Sequence, residues 1–334
     1  MLKRIFTATL FLVFLSQPSG AATTLKIATI APDGTSWMQA LRKGGDDIAK
    51  RTEGRVKLRF FPGGVMGNDK SVLRKIRIGQ LHGGVIVSGG LTEVYPDIAL
   101  YNIPFLFRSY QEVDYVRERM DAQLLKGLAE RGFISFGFSE GGFAYLMSNQ
   151  PVRSLDDLKG KKVWVPDDDR ISRIAIESLG VTPIPLPLTD VLPSLQTGLI
   201  DTIAGSAIGV VALQWQPQVK YLVDEPLVYL YATMAIDRKA FEAISAADQA
   251  IVQEVMGGVF RKLNKQNRSD DASAHQALKA QGIKYVTPTP ESLQNETKIR
   301  AEVERRLLQQ HILSPELMES LKTHLNKQRQ TAAP

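Results

Sequence analysis

The 334-residue chain contains no cysteine, which excludes disulfides, thiolate catalysis, thiolate metal sites and a lipid-bearing cysteine near the N-terminus. In an exported chain that absence fits a bacterial periplasmic protein held together by its core rather than by cross-links. Histidine is scarce, and His82, His275, His311 and His324 show no metal-ligand spacing. No nucleophile elbow accompanies them, so neither metal-assisted nor Ser-His-Asp chemistry is suggested, and no enzyme activity or cofactor is expected. An excess of one charge is lacking too: 41 Lys and Arg stand against 35 Asp and Glu. The signs are interspersed, as in Arg117-Glu118-Arg119 and from Glu302 to Arg306, which describes solvated helix faces and argues against a nucleic-acid partner. Apolar runs of membrane-spanning length are missing as well. The run Ile5–Leu15 is too short to span a bilayer, follows Met1-Leu2-Lys3-Arg4 and leads to Pro18-Ser19-Gly20-Ala21-Ala22, the three regions of a secretory signal. Cleavage after Ala22 is expected, leaving about 310 residues, enough for two domains of ordinary size in the periplasm.

What the chain does contain is α/β alternation. Strands are expected at Thr24–Thr29, Val56–Phe61, Gly83–Val87 and Phe133–Phe138, with helices from Ser36 to about Arg51, at Leu73–Ile78 and at Tyr110–Arg131. Between Ser148 and Asp201 the pattern is denser. Lys162-Val163-Trp164-Val165 is a short run of β-formers stopped by Pro166. Ile171, Ile174, Ala175, Ser178 and Leu179 then fall on one helical face that ends at Gly180. A strand at Thr182–Leu186, a helix at Val191–Thr197 and a strand at Ile200–Ala204 complete a β-α-β-α-β unit, which favours a parallel sheet with ligands bound beyond the strand ends. After a strand-rich stretch at Tyr221–Ala235 the sequence turns helical: Arg238–Gln281 with one interruption near Ser245, then Pro290–Gln309 and Pro315–Lys327.

The segment Asp157-Leu158-Lys159-Gly160-Lys161-Lys162-Val163-Trp164-Val165-Pro166, followed by LGVTPIPLPLTDVLPSLQTGLID, resembles the D-L-K-G-x-K-x-R-V-P and G-A-x-P-x-P…A-L-Q-x-G-x-x-D pattern of one family. These are the solute-binding proteins of tripartite ATP-independent periplasmic (TRAP) transporters, DctP type. Phe61-Pro62-Gly63-Gly64 with Met66-Gly67, Pro104-Phe105-Leu106-Phe107 and Gly141-Gly142-Phe143 with Ser148-Asn149 are similar to further family motifs in the same order. The resemblance covers most of Leu25 to Ala235. It implies an α/β fold of two domains with a ligand cleft between them and a long connecting helix: residues 23–140 with about 235–272 as domain I, and 141–234 with about 273–330 as domain II. A break between them is implied near Ser139–Phe143 and a return near Tyr231–Ile236. It also implies a non-enzymatic receptor that delivers a small molecule to TRAP permease membrane subunits, with a periplasmic helical-repeat protein as a further partner.

The departures from the pattern bear on the ligand. Trp164 stands where the family carries the arginine that forks onto a substrate carboxylate, Ala144 where a second arginine is common, and Gly205 where an asparagine commonly reaches the ligand. Neither indole nor methyl replaces a guanidinium's charge or its paired donors, so an apolar or neutral ligand is expected in place of the usual organic acid. Trp164 is expected to line the cleft, and Trp37 stands in a loop that contributes ligand contacts in the family. Phe143 and Tyr145 flank Ala144 and share the opposite face of its strand; each reads as either core or ligand contact. Asp167-Asp168-Asp169 reads as a helix N-cap with acidic first-turn partners, a cation site being the rival. Arg170 or Arg173 is the candidate for a relocated anion anchor, which would restore an organic-acid receptor. The other rival is a ligand sensor or scaffold that kept the fold and lost transport.

Overall fold

The computed structural model describes residues 22–332; the expected secretory signal lies outside them. In chain order the elements are β1 (Thr23–Thr29), α1 (Ser36–Arg51), β2 (Val56–Phe61), α2 (Asp69–Arg77), β3 (Gly83–Val87), α3 (Tyr110–Glu130), β4 (Phe133–Ile134) and β5 (Phe138–Ser148). There follow β6 (Trp164–Pro166), α4 (Arg170–Ser178), β7 (Ile184–Leu186), α5 (Val191–Thr197), β8 (Thr202–Ser206), α6 (Ala207–Ala212), β9 (Tyr221–Val223) and β10 (Val228–Asp237). The chain ends with α7 (Arg238–Glu242), α8 (Ala246–Ala280), β11 (Lys284–Val286), α9 (Pro290–Gln309) and α10 (Pro315–Ala332).

The main sheet runs β11-β9-β5-β10-β3-β1-β2, with β4 also paired to β10 and β8 to β5. Strands β5 and β10 tie its two halves together. The first half of β5 pairs antiparallel with β10 from Phe138 to Ala144, and its second half pairs with β8 from Ala144 to Ser148. β10 in turn pairs with β3 from Ala232 to Ile236, so the two long strands join the halves of the sheet. The expected strand Phe133–Phe138 is split, because Ser135–Gly137 leaves the ladder between β4 and β5 and Gly137 adopts φ 132°. Through Ser139–Phe143, where the resemblance implies the passage between domains, the chain runs as continuous β5. The dense β-α-β-α-β unit is also only partly parallel. β6 and β7 pair parallel, but β8 joins them through one bridge, Val163 to Thr202, and is otherwise antiparallel to β5.

Helix α8 is 35 residues long, about 52 Å at 1.5 Å per residue. Its N-terminal half packs on α1, where a Cβ at Gly44 would stand 2.8 Å from Val259 Cγ2, so the close approach of the two helices requires glycine there. Arg51 forks onto Glu254 across the same pair, at 3.1 and 2.7 Å. The C-terminal half reaches the other domain, where Asp271 accepts the Ile208 N–H at 3.0 Å. Separate apolar clusters fill the space between sheet and helices. One holds Leu25, Ile27, Met38, Met256 and Phe260; another holds Trp164, Val191, Leu195, Val210, Trp215 and Leu278.

Candidate interdomain ligand site

Where the two halves face each other there is a cavity of about 270 Å³. One side is built from the β1–α1 loop from Thr29 to Pro32, Trp37 on α1, and Val87 to Gly89 after β3. The other side is built from Val163 to Pro166, Ala204 to Ser206 at the end of β8, and Val210, Leu213 and Trp215. The crossing strands form the back wall through Ala144, Leu146, Leu230 and Ala232, and α8 adds Phe260 and Leu263.

Local sequence explains these positions. Thr35 caps α1 by accepting the Met38 N–H, which fixes the first turn and turns Trp37 toward α8, where its indole N–H donates to Asn267 Oδ1 at 2.7 Å. Trp164 lies on β6 with its indole N–H donating to Leu186 O at 2.9 Å, and Trp215 meets it edge to face with ring centroids 5.5 Å apart. Ala144 is fully buried, facing Val228 on one side and Ser206 on the other. A Cβ on Gly205 would come within 2.8 Å of Val210 Cγ2 and 3.7 Å of the Trp215 ring. The glycine therefore makes room for the wall of Val210 and Trp215 behind it.

Trp37, Ala144, Trp164 and Gly205 are thus brought together around one space. Phe143, Tyr145 and Arg170 are not among its lining. The alternation along β5 turns Phe143 into the core against Tyr110 and Tyr229, with centroids 5.0 and 5.7 Å away. Tyr145 packs edge-on to His275 at 4.9 Å, and burial pushes its hydroxyl up to about 12. Arg170 is exposed, as is Arg173, because α4 presents Ile171 and Ile174 inward and its polar face to water. Asp169 caps that helix, accepting the Ile171 and Ser172 N–H groups at 2.9 and 3.1 Å. Among the described residues no cluster of His, Asp and Glu is arranged to hold a metal ion.

Among the described residues that line the cavity there is no Lys, Arg or His; its charged residues are Glu140, Asp168 and Asp169. Glu140 is buried and fully engaged, with Arg268 donating to it at 2.6 and 2.8 Å and Arg117 at 3.3 Å. The other polar side chains are largely spent on the protein itself. Ser88 donates to Asn102 Oδ1 at 2.5 Å, Asn102 to Tyr229 O at 2.9 Å, Ser172 to Asp169 at 2.6 Å, and the Tyr231 hydroxyl to Ile98 O. Trp215, Leu188, Leu213, Phe260, Asn102 and Glu140 were not singled out by sequence reasoning. Trp215 carried a usable signal, a tryptophan within the stretch of family resemblance and shortly after its Gly205 position.

A family model for bacterial extracellular solute-binding proteins, family 7 (DctP), matches residues 27–310. The chain belongs to this family. The 2,3-diketo-L-gulonate-binding periplasmic protein YiaO of Escherichia coli is 26% identical over 86% of this chain and 89% of its own length. The sialic acid-binding periplasmic protein SiaP of Vibrio cholerae is 22% identical over 86% and 90%. Among solved structures, the sugar acid binding protein of Advenella mimigardefordensis, in complex with galactonate, superposes with a TM-score of 0.85 at 19% identity, covering 92% of this chain and 99% of that one. DctP-family proteins are TRAP solute-binding receptors that take small ligands to membrane permease subunits, and they are not enzymes. The relatives named above are periplasmic proteins; among the described residues of this chain no helix is long and apolar enough to cross a membrane.

Proposed function

We propose that this receptor, exported to the periplasm by a cleaved leader, binds an apolar or neutral small molecule between its domains and delivers it to a TRAP permease. The domain boundaries follow the family pattern, with residues 23–140 and about 235–272 closing on residues 141–234 and about 273–330. Trp37, Ala144, Trp164 and Gly205 form the recognition wall in this reading, joined by Trp215. The observation that carries it is the lining of the cavity: no cation is among its residues, and Glu140 is already paired with Arg117 and Arg268. The relatives named for sialic acid and diketo-gulonate mark what the family can hold. Here, however, Trp164 Nε1 is committed to Leu186 O, and the positions of the usual anchors offer a ligand only hydrocarbon and backbone. Ligand sites with mostly apolar walls and few free polar groups select by shape and desolvation.

Native mass spectrometry of the protein purified from its own periplasm, followed by denaturing extraction, tests the proposal. A bound mass that partitions into organic solvent at neutral pH is expected. Release of a sugar acid or a dicarboxylate would overturn it.

A further inference from the structure

We infer that the ligand site has a second compartment, behind Phe105 and Leu227, which receives the alkyl or aryl tail of a ligand seated in the main cavity. A smaller chamber of about 60 Å³ lies against the main cavity and shares with it Phe105, Leu146, Ile176, Leu179 and Leu227. About 10–15 Å³ of such space is enough for one water, so the chamber has room for a chain segment of several atoms. Beyond the shared wall it is lined by Val152, Leu155, Leu158 and Pro288, and the first turns of α9 close it at Ser292 and Glu296.

The partition is part fixed and part movable. Phe105 is held in the left-handed region at φ 54°, where a bulky residue is strained unless its surroundings hold it there. Its N–H donates to Leu227 O at 2.8 Å and Arg300 donates to its carbonyl at 3.1 Å. Leu227 N–H donates in turn to Ala144 O at 2.9 Å, on the back wall of the main cavity. Leu146, Ile176 and Leu179 complete the partition with side chains alone, and their rotamers can part around a narrow chain. The far end is polar and carries Arg153, Glu225 and Glu296. Neither glutamate has an ion-pair partner within 4.0 Å among the described residues. Burial, then Glu225, pushes Glu296 up to about 7. That end offers hydrogen-bonding groups to a hydroxyl at the tip of the tail.

The inference rests on the apolar-receptor reading, and a chain-length series separates the two. Linear primary alkanols from hexanol to dodecanol would be titrated into delipidated protein against the neutral fluorophore N-phenyl-1-naphthylamine. Affinity is expected to rise about fourfold per methylene through the longest members, the factor for burying one CH₂. Ser292→Trp, which fills the chamber without touching the main cavity, is expected to stop that rise partway and to leave hexanol binding unchanged; Val152→Trp should do the same from the opposite wall. A wild-type plateau at short chains, or a loss shared equally by all lengths in both variants, would overturn the second compartment and leave the apolar receptor standing. Failure of the fluorophore and every alkanol to bind the wild type would overturn both.

Discussion

Trp164 and Trp215 meet edge to face across the floor of the interdomain cavity, 5.5 Å between centroids and 77° between planes. Each is nearly fully buried, and the Trp164 indole N–H is already paired with Leu186 O, so what the pair offers a ligand is its aromatic surface. Trp164→Ala is expected to weaken binding of the native ligand by about 1–3 kcal/mol, the scale of a lost buried aromatic contact. It should also lower folding stability by about 3–5 kcal/mol, because Trp215 loses its partner and a void remains. Trp164→Phe should recover most of the stability. Calorimetric titration and urea unfolding measure the two effects separately, and unchanged affinity in a folded alanine variant would remove Trp164 from the site.

Gly205 and Trp215 are coupled in the same wall. Any side chain at Gly205 begins 2.8 Å from Val210 Cγ2 and points toward the Trp215 ring. Gly205→Asn is expected to destabilise the protein by about 1–3 kcal/mol through overpacking and to reduce affinity for an apolar ligand without creating affinity for an acid. A thermal melt and a binding isotherm check both halves. Gain of sugar-acid binding by this single change would show that the asparagine alone sets ligand class.

The fold class was legible because its evidence is local. The helical face of Ile171 and Ile174, the stop at Gly180 and the β-run ending at Pro166 lie in one continuous segment. The antiparallel pairing of β8 with β5 was not legible, since it joins residues more than fifty positions apart. At the site, Trp37, Trp164 and Gly205 could be marked by their places in family motifs. Trp215, Phe260 and Asn102 belong to the cavity only because α6, α8 and the segment before α3 converge on it, and no spacing in the chain encodes that. The alternation along β5 did forecast that Phe143 and Tyr145 face away from Ala144. Whether α4 turned Arg170 to the cavity or to water depended on how that helix packs.

Glu140 shows how a cavity-lining charge is kept away from the ligand. It holds Arg117 and Arg268 together, Arg117 being itself buried and bonded to Asp121 at 2.9 Å and to the Tyr229 hydroxyl at 2.9 Å. Removing one partner of a buried pair strands the other. Glu140→Ala is therefore expected to cost about 3–5 kcal/mol of stability in urea unfolding, with Glu140→Gln costing less because it still accepts one hydrogen bond. An alanine variant as stable as wild type would show that water already reaches Arg117.

Asp69 and Asp168 give the protein a pH dependence. Burial, then Asp168, pushes Asp69 up to about 8; burial, then Asp167, Asp169 and Glu93, pushes Asp168 up to about 6. Above the ordinary carboxylate range the unfolded chain has lost these protons while the folded chain retains them. The stability they supply is thus fully present at acid pH and is lost as pH rises through about 6 and then about 8. The difference in melting temperature between wild type and Asp69→Asn should favour the variant increasingly as pH rises toward 8. A difference independent of pH would mean that Asp69 is ionised throughout, stabilised by its place in the first turn of α2.

The remaining question is whether an anion site has moved to α4. Arg170 and Arg173 follow Trp164 on α4, yet both are exposed and neither lines the cavity. A charge-assisted fork contributes about 1.5–3 kcal/mol when it is made, and nothing among the lining residues can make one. Wild-type protein is therefore expected to give no saturable heat with succinate, galactonate or a sialic acid, and Arg170→Ala should bind the native ligand as wild type does. Tight binding of any of these acids, insensitive to Trp164→Ala and abolished by Arg170→Ala, would mean that closure on the ligand swings α4 inward and that the receptor is an organic-acid receptor after all.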